Sequence, residues 1–314
     1  SIPVASKTDA GATMAKSSNP QPATVGFFSL ATAAALVTVF TWGGTPIITK
    51  FGVVSVDVMS LALLRTVMSL PLAVLIIVVL RCALPWRGND KWLLVLVGIP
   101  GVVGFPVLFT LGIGLTSAGH AAVVTAATPV FVGFLEAVVS RKLPPRRWWI
   151  GVSVAFVGAV ILIAEAVGLD SADATWQGDL LAAAGGFSAA VSFVAGARLT
   201  PRYGAVGVTM WGVVIAGVVQ VPFVIMRMDA EAWAAVEPLG WTAIIYLSLG
   251  STIVAYISWI FALSRGGIGR MSVWQFAMPI VGVAGAAIFL GEPLTGLLVA
   301  ATVIILFGVG LVQR

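Results

Sequence analysis

Long apolar stretches alternate with short polar punctuation from residue 26 to the end of the chain. Hydrophobic runs lie near 26–50, 56–80, 91–112, 117–140, 147–166, 178–200, 204–226, 240–264, 270–290 and 293–312. Each is close to the ~20 residues a helix needs to cross a hydrocarbon layer of ~30 Å. The pattern therefore predicts an all-α integral membrane protein with ten transmembrane helices. Proline interrupts several runs, at Pro46, Pro71, Pro100, Pro106, Pro129, Pro222 and Pro279. Membrane helices accept such breaks where neighbouring helices satisfy the freed backbone groups, and Pro129 and Pro279 are read as helix kinks. Residues 1–24 are polar and rich in Pro and Ser without an apolar core, which predicts a disordered cytoplasmic tail and no signal peptide.

The runs repeat. Gly26–Gly52 and Gly178–Gly204 begin and end on Gly, carry Lys50 and Arg202 two residues before the end, and lie 152 residues apart. Pro129 and Pro279, and Gly158 and Gly308, are each 150 apart. A period that nearly constant over half a chain predicts a tandem duplication, with one five-helix copy at 25–167 and a second at 177–313. An odd number of spans per copy sets the two copies in opposite orientations, so the fold expected is two inverted five-helix repeats.

Charge supports that sidedness. With a cytoplasmic N-terminus, 14 of the 17 Lys and Arg residues fall on the cytoplasmic side and only Lys50, Arg65 and Arg227 do not. The loops assigned to the outside hold Asp170, Asp173, Asp179, Asp229, Glu231, Glu237 and Glu292. That is the positive-inside pattern of a bacterial-type inner membrane protein with both termini in the cytoplasm. The chain is 60% hydrophobic and 9% charged, with mean hydropathy +1.09. Its net charge of +5 reports sidedness and not nucleic-acid binding. The lone Cys82 excludes an internal disulfide and a multi-cysteine metal site. With one His, no nucleophile–base pair and no phosphate-cradling Gly-Lys-Ser/Thr loop, neither enzyme chemistry nor ATP hydrolysis is expected, and no cofactor or metal is expected either.

Trp42-Gly43 in the first span, Leu64-Arg65-Thr66 in the second, and small residues followed by Pro129 in the fourth resemble the drug/metabolite transporter superfamily, in its EamA-type branch. So does the ninth-span stretch from Pro279 to Gly291-Glu292-Pro293-Leu294. The resemblance covers residues 26–312. Lys142 stands in the first copy where the Gly-Glu motif would place its acid. The resemblance implies a cavity lined by spans one to four and six to nine, with spans five and ten outside. Its members move amino acids, organic cations, nucleotide sugars and other small metabolites, so it implies a transport task without fixing the cargo.

Helical spacing nominates the lining. Thr38, Trp42, Thr45 and Thr49 share one face of the first span, and Ser248, Thr252 and Trp259 share one of the eighth, flanked by Ser251 and Tyr256. Stripes of hydroxyls also serve close helix packing, but a Trp amid small residues packs helices poorly, so Trp42 is the leading aromatic wall. Trp274, Gln275 and Met278 suit a flat organic ligand. Trp86, Trp92, Trp148, Trp149, Trp176, Trp233 and Trp241 are assigned to interfacial belts. A charge at depth costs at least ~2.5–3.5 kcal/mol, which singles out Arg65 as a candidate for a substrate carboxylate. Glu136 is a candidate for a coupling proton or a cationic group, or else a partner of Arg141 or Lys142. His120 is a candidate for gating or proton linkage, or a plain mouth-lining residue.

These residues predict a secondary active transporter of small organic metabolites working by alternating access. Export of amino acids or related amphipathic metabolites is favoured, and efflux of aromatic or quaternary organic cations is the alternative. A passive channel and a membrane enzyme are the competing classes. The partners expected are the small-molecule substrate and the lipid bilayer, with a coupling proton left open, no nucleic acid, and a monomer or a homodimer.

Overall fold

The computed structural model describes residues 29–113, 115, 124–167, 175–290 and 294–313, and every regular element among them is helical. Seven helical stretches are long and apolar enough to cross a membrane, and Thr128–Ser140 is a shorter apolar helix. The N-terminal tail and the Gly291-Glu292-Pro293 motif lie outside the described residues.

Chain order begins with α1 (Leu30–Gly43) and α2 (Thr45–Gly52), which interrupt the first expected span at Gly44. Pro46 near the start of α2 suits that break, since its missing N–H falls where helices have no internal acceptor. Next come α3 (Val58–Val67) and α4 (Leu70–Val79), again with a proline, Pro71, opening the second piece. Then α5 (Asp90–Leu96) widens into a π-helical stretch at Val97–Gly104 before α6 (Phe105–Ile113). After α7 (Thr128–Ser140) and α8 (Arg146–Val167) comes α9, Trp176–Arg227. The short α10 (Ala230–Ala234) leads to α11 (Pro238–Ile245), a second π-helical stretch at Tyr246–Val254, and α12 (Ala255–Gly266). The chain closes with α13 (Ile268–Ser272), a 3-10 turn at Val273–Ala277, α14 (Met278–Leu290) and α15 (Gly296–Gln313).

The 52 residues of α9 are two arms. Gly204 sits at φ 73°, ψ 153° between them, a left-handed conformation natural to glycine. Ser192 and Gly212 both touch the Val97–Gly101 stretch. A straight helix would hold them about 30 Å apart at 1.5 Å per residue, so the chain reverses at Gly204. The expected loop at 201–203 is thus almost no loop, and the two runs join through one residue.

Element boundaries keep the sequence period. The α7 and α14 helices start 150 residues apart and end 150 apart, α8 and α15 start 150 apart, and the two π-helical stretches end 150 apart. Equivalent helices also meet. Gly158 lies against Ile305 and Gly308 against Ala155, a reciprocal pair of contacts, while Gly151 lies against Val312. As the number rises along α8 it falls along α15, so the two pack antiparallel. The same holds for α3–α4 and the second arm of α9, where Leu70 meets Gly217, Cys82 meets Gly207 and Arg227 reaches Asp57.

Pro129 and Pro279 each occupy the second residue of a helix, α7 and α14. At that position the missing N–H of a proline costs no internal hydrogen bond. Trp148, expected in an interfacial belt, is instead 3% exposed, packs on Gly133 and donates its indole N–H to Gly269 O at 2.7 Å. Trp86, Trp92, Trp149, Trp176 and Trp241 are exposed as belt residues should be.

Two predictions follow from these packings. A Cβ added at Gly308 would lie 2.5 Å from the Ala155 amide nitrogen, backbone that cannot give way. Gly308→Val should therefore lower the melting temperature of detergent-solubilised protein sharply, given the ~1–3 kcal/mol typical of overpacking, whereas Gly310→Val, with nothing near its added carbon, should melt like the parent. Asp57 caps α3 by accepting from the Met59 and Ser60 amides and from Arg227. Burial alone would raise its carboxyl, but the hydrogen bonds from Ser60 and the Arg227 guanidinium outweigh it and hold the carboxyl below its ordinary value. That stability is complete above the unfolded carboxyl's pKa and is lost as pH falls through the lowered folded value. Melting curves of Asp57→Asn should accordingly lose part of the acid dependence that the parent shows.

Candidate functional site

A π-helical turn takes in one residue more than an α-helical turn and loosens the backbone ladder. Away from water, each carbonyl so freed needs another donor. In both wide stretches most of the donors come from side chains of neighbouring helices. Ser251 O accepts from the Trp42 indole at 2.8 Å, and Gly101 O accepts from the Tyr256 hydroxyl at 3.1 Å. Val97 O accepts from Ser192 at 2.9 Å and Leu247 O from Thr252 at 2.9 Å. Ser248 O takes the Ser69 hydroxyl at 3.0 Å, and Val102 O takes the Gln220 amide at 3.2 Å. Ser251 and Gly101 stand 150 residues apart, as do Leu247 and Val97.

Aromatic rings gather where these bonds converge. The Trp42 ring lies 5.2 Å from Tyr256, 5.7 Å from Phe193 and 6.0 Å from Trp259, and Phe193 in turn packs on both Tyr256 and Trp259. Trp259 is fully buried, and its indole N–H has no partner among the described residues. Thr38, on the Trp42 face, is fully buried and donates to Ala255 O at 3.0 Å, so its hydroxyl joins helices.

Arg65 reaches the same place from α3. Its NH2 group donates to Ser251 Oγ at 2.6 Å and its Nε to Thr252 Oγ1 at 3.3 Å, and Thr45 Oγ1 lies 3.3 Å from Ser251 Oγ. Ser251 thus binds Trp42 through its carbonyl and Arg65 and Thr45 through its hydroxyl. Among the described residues no carboxylate forms an ion pair with Arg65, and three of its five N–H donors are unused.

Trp274 is 5% exposed in the same hydrophobic core as Tyr256 and Trp259, with Met278 packed against it. Gln275 is half-buried, and its Oε1 has no partner among the described residues. Glu136 does not pair within its own helix: it meets Arg198 across the α7–α9 contact at 3.1 Å. His120 lies outside the described residues.

Phe193, Ser251 and Asp90 carry more of this arrangement than their sequence positions suggest. Phe193 gave no signal, being one apolar residue in an apolar run. Ser251 only flanks the polar stripe in the sequence, whereas in the structure it is fully buried beside Ser248 and Thr252. Asp90, 8% exposed at the start of α5, accepts two bonds from Arg202 at 3.1 and 3.2 Å and one from the Tyr203 hydroxyl at 2.8 Å. A lone acid among basic residues on the predicted cytoplasmic side was the clue to it. Together Asp90–Arg202 and Glu136–Arg198 tie α5 and α7 to the end of the first arm of α9.

The EamA-like transporter family model matches residues 29–164 and again residues 176–314. An uncharacterized transporter of Archaeoglobus fulgidus is 27% identical over 281 residues, covering 88% of this chain and 96% of its own. A probable amino-acid metabolite efflux pump of Salmonella typhimurium is 27% identical over 201 residues, covering 61% of this chain and 66% of its own. One solved crystal structure superposes with a TM-score of 0.74 at 17% identity, covering 90% of this chain and 95% of that one, which establishes likeness of fold.

Asp90 is itself nearly buried and accepts three hydrogen bonds, two from Arg202 and one from the Tyr203 hydroxyl, all of which its removal would abolish. Glu136 and Arg198 are a partly exposed pair worth about 0–1 kcal/mol. Asp90→Ala should therefore depress the thermal midpoint clearly more than Glu136→Ala, as read by differential scanning fluorimetry in detergent.

Proposed function

The chain belongs to the EamA-like transporter family, and from that premise we propose that it exports amino acids or related amphipathic metabolites by alternating access. The carrying observation is Ser251, which holds the Arg65 guanidinium and the Trp42 indole on one residue. A cation with spare donors beside an aromatic wall is suited to a carboxylate joined to an apolar body. Trp42, Tyr256 and, in the same core, Trp274 supply that wall, with Gln275 and Met278 at its edge. No enzymatic step is assigned. The Salmonella relative's name supports amino-acid metabolites as the cargo class.

The architecture in this reading is ten transmembrane helices in two inverted five-helix repeats, each copy presenting its wide stretch to a site near the midplane. Support comes from the family model matching twice, the 150-residue register of helix ends, the reversal at Gly204 and the antiparallel packing of equivalent helices. Both termini lie in the cytoplasm of an inner-type membrane by the Lys/Arg distribution. Cargo, and a coupling proton if one is used, can drive the cycle only by binding one state better than the other. The engagement of Glu136 with Arg198 weighs against its serving as counter-charge to a cationic cargo.

Counterflow of a radiolabelled amino-acid panel in proteoliposomes tests this. Arg65→Ala should lose about 1.5–3 kcal/mol of charge-assisted hydrogen bonding, a rise in KM of ten-fold or more, and Arg65→Lys should recover little of it because an ammonium lacks the guanidinium fork. Retention of wild-type KM for every transported amino acid in Arg65→Ala, with loss in Glu136→Gln, would overturn the carboxylate reading in favour of the cation.

A further inference from the structure

An apolar recess lies away from the Arg65 site, on the flank of the bundle. It is an open groove of about 660 Å³ between the first turns of α1, the chain just after α4, the Gly204 break of α9, and α12. Leu30, Val37, Leu80, Val206, Ile257 and Phe261 line it. Leu30 and Leu80 are 74% and 60% exposed, so the groove opens sideways, where a membrane helix meets lipid. Two polar residues join the lining, Tyr203 and Arg81. Arg81 lies two residues beyond the apolar α4 helix and takes a left-handed backbone conformation at φ 50°. Among the described residues no carboxylate pairs with the Arg81 guanidinium. Asp90, the nearby acid, is already occupied by Arg202 and Tyr203.

We propose that this groove holds one acyl chain of an anionic glycerophospholipid whose phosphate is bound by Arg81. An uncharged tail alone would satisfy the apolar walls but leave the cation unanswered. A soluble anion would answer the cation but leave the walls bare. A lipid with a charged headgroup matches both, and it approaches from the side to which the groove opens. The bound chain lies along Gly204 and Gly207, at the reversal that joins the two arms of α9. Lipid there braces the single residue that joins the two arms. The inference is independent of the cargo assigned to the Arg65 site.

The test is native mass spectrometry of the full chain released from detergent after incubation with equal amounts of phosphatidylglycerol and phosphatidylcholine. A basic residue at an anionic lipid surface favours it about five-fold, so phosphatidylglycerol adducts should predominate by about that ratio. Arg81→Gln should bring the ratio to near one, while Arg141→Gln, a control cation at the end of α7, should leave it unchanged. Gly207→Leu places a side chain in the groove, where an added Cβ meets nothing closer than Cys82 at 3.6 Å, and should remove adducts of both lipids. Cys82, the only thiol, gives a readout that needs no substitution: maleimide labelling should be slower in nanodiscs containing phosphatidylglycerol than in pure phosphatidylcholine. Equal retention of the two lipids, or a preference that survives Arg81→Gln, would overturn the proposal, as would labelling of Cys82 indifferent to headgroup.

Discussion

Two segments of widened helix leave carbonyl groups that the backbone cannot satisfy by itself, and in a membrane no water is there to help. The protein's centre is arranged around that demand. Trp42, Ser69, Ser192, Gln220 and Tyr256 each spend a polar hydrogen on one of these carbonyls from another helix. The wide turns therefore do two things at once. They cross-link helices far apart in the chain, and they draw aromatic and hydroxyl side chains into the interior, where a ligand would meet them.

The two copies are alike in frame and unlike in chemistry. Ser251 and Gly101 occupy equivalent places and both present a carbonyl to an aromatic side chain, but only Ser251 has a hydroxyl to offer. The cation bound to that hydroxyl, Arg65, has the apolar Ile215 at the same 150-residue offset. The two segments that the family model matches thus share a frame while single side chains set them apart.

Much of the frame was readable in the sequence because lipid imposes a simple code. Apolar length marks the helical stretches, and Pro and Gly mark their ends: Pro71, Pro129 and Pro279 each stand at the second residue of a helix. The period of 150 was equally plain. What the code lacks is helix pitch. Nothing in Tyr246–Val254 distinguishes a π-helical stretch from an α-helix, so the carbonyls it frees and the side chains that answer them could not be read in advance. Apolar partners are invisible for a related reason: in a run where every residue is hydrophobic, Phe193 has no contrast to be seen against. Trp148 misled because a tryptophan near a span end reads the same whether it faces lipid or fills the hollow above Gly133.

The α8–α15 pair has one more implication. Its glycines bring backbone against backbone, with Gly308 seated on Ala155 and Gly151 and with Gly158 on Ile305. Sliding one helix along the other by even a single residue would drive side-chain carbons into peptide groups. The pair is consequently locked in one register along its whole length, like two cogged rods that cannot slip past each other.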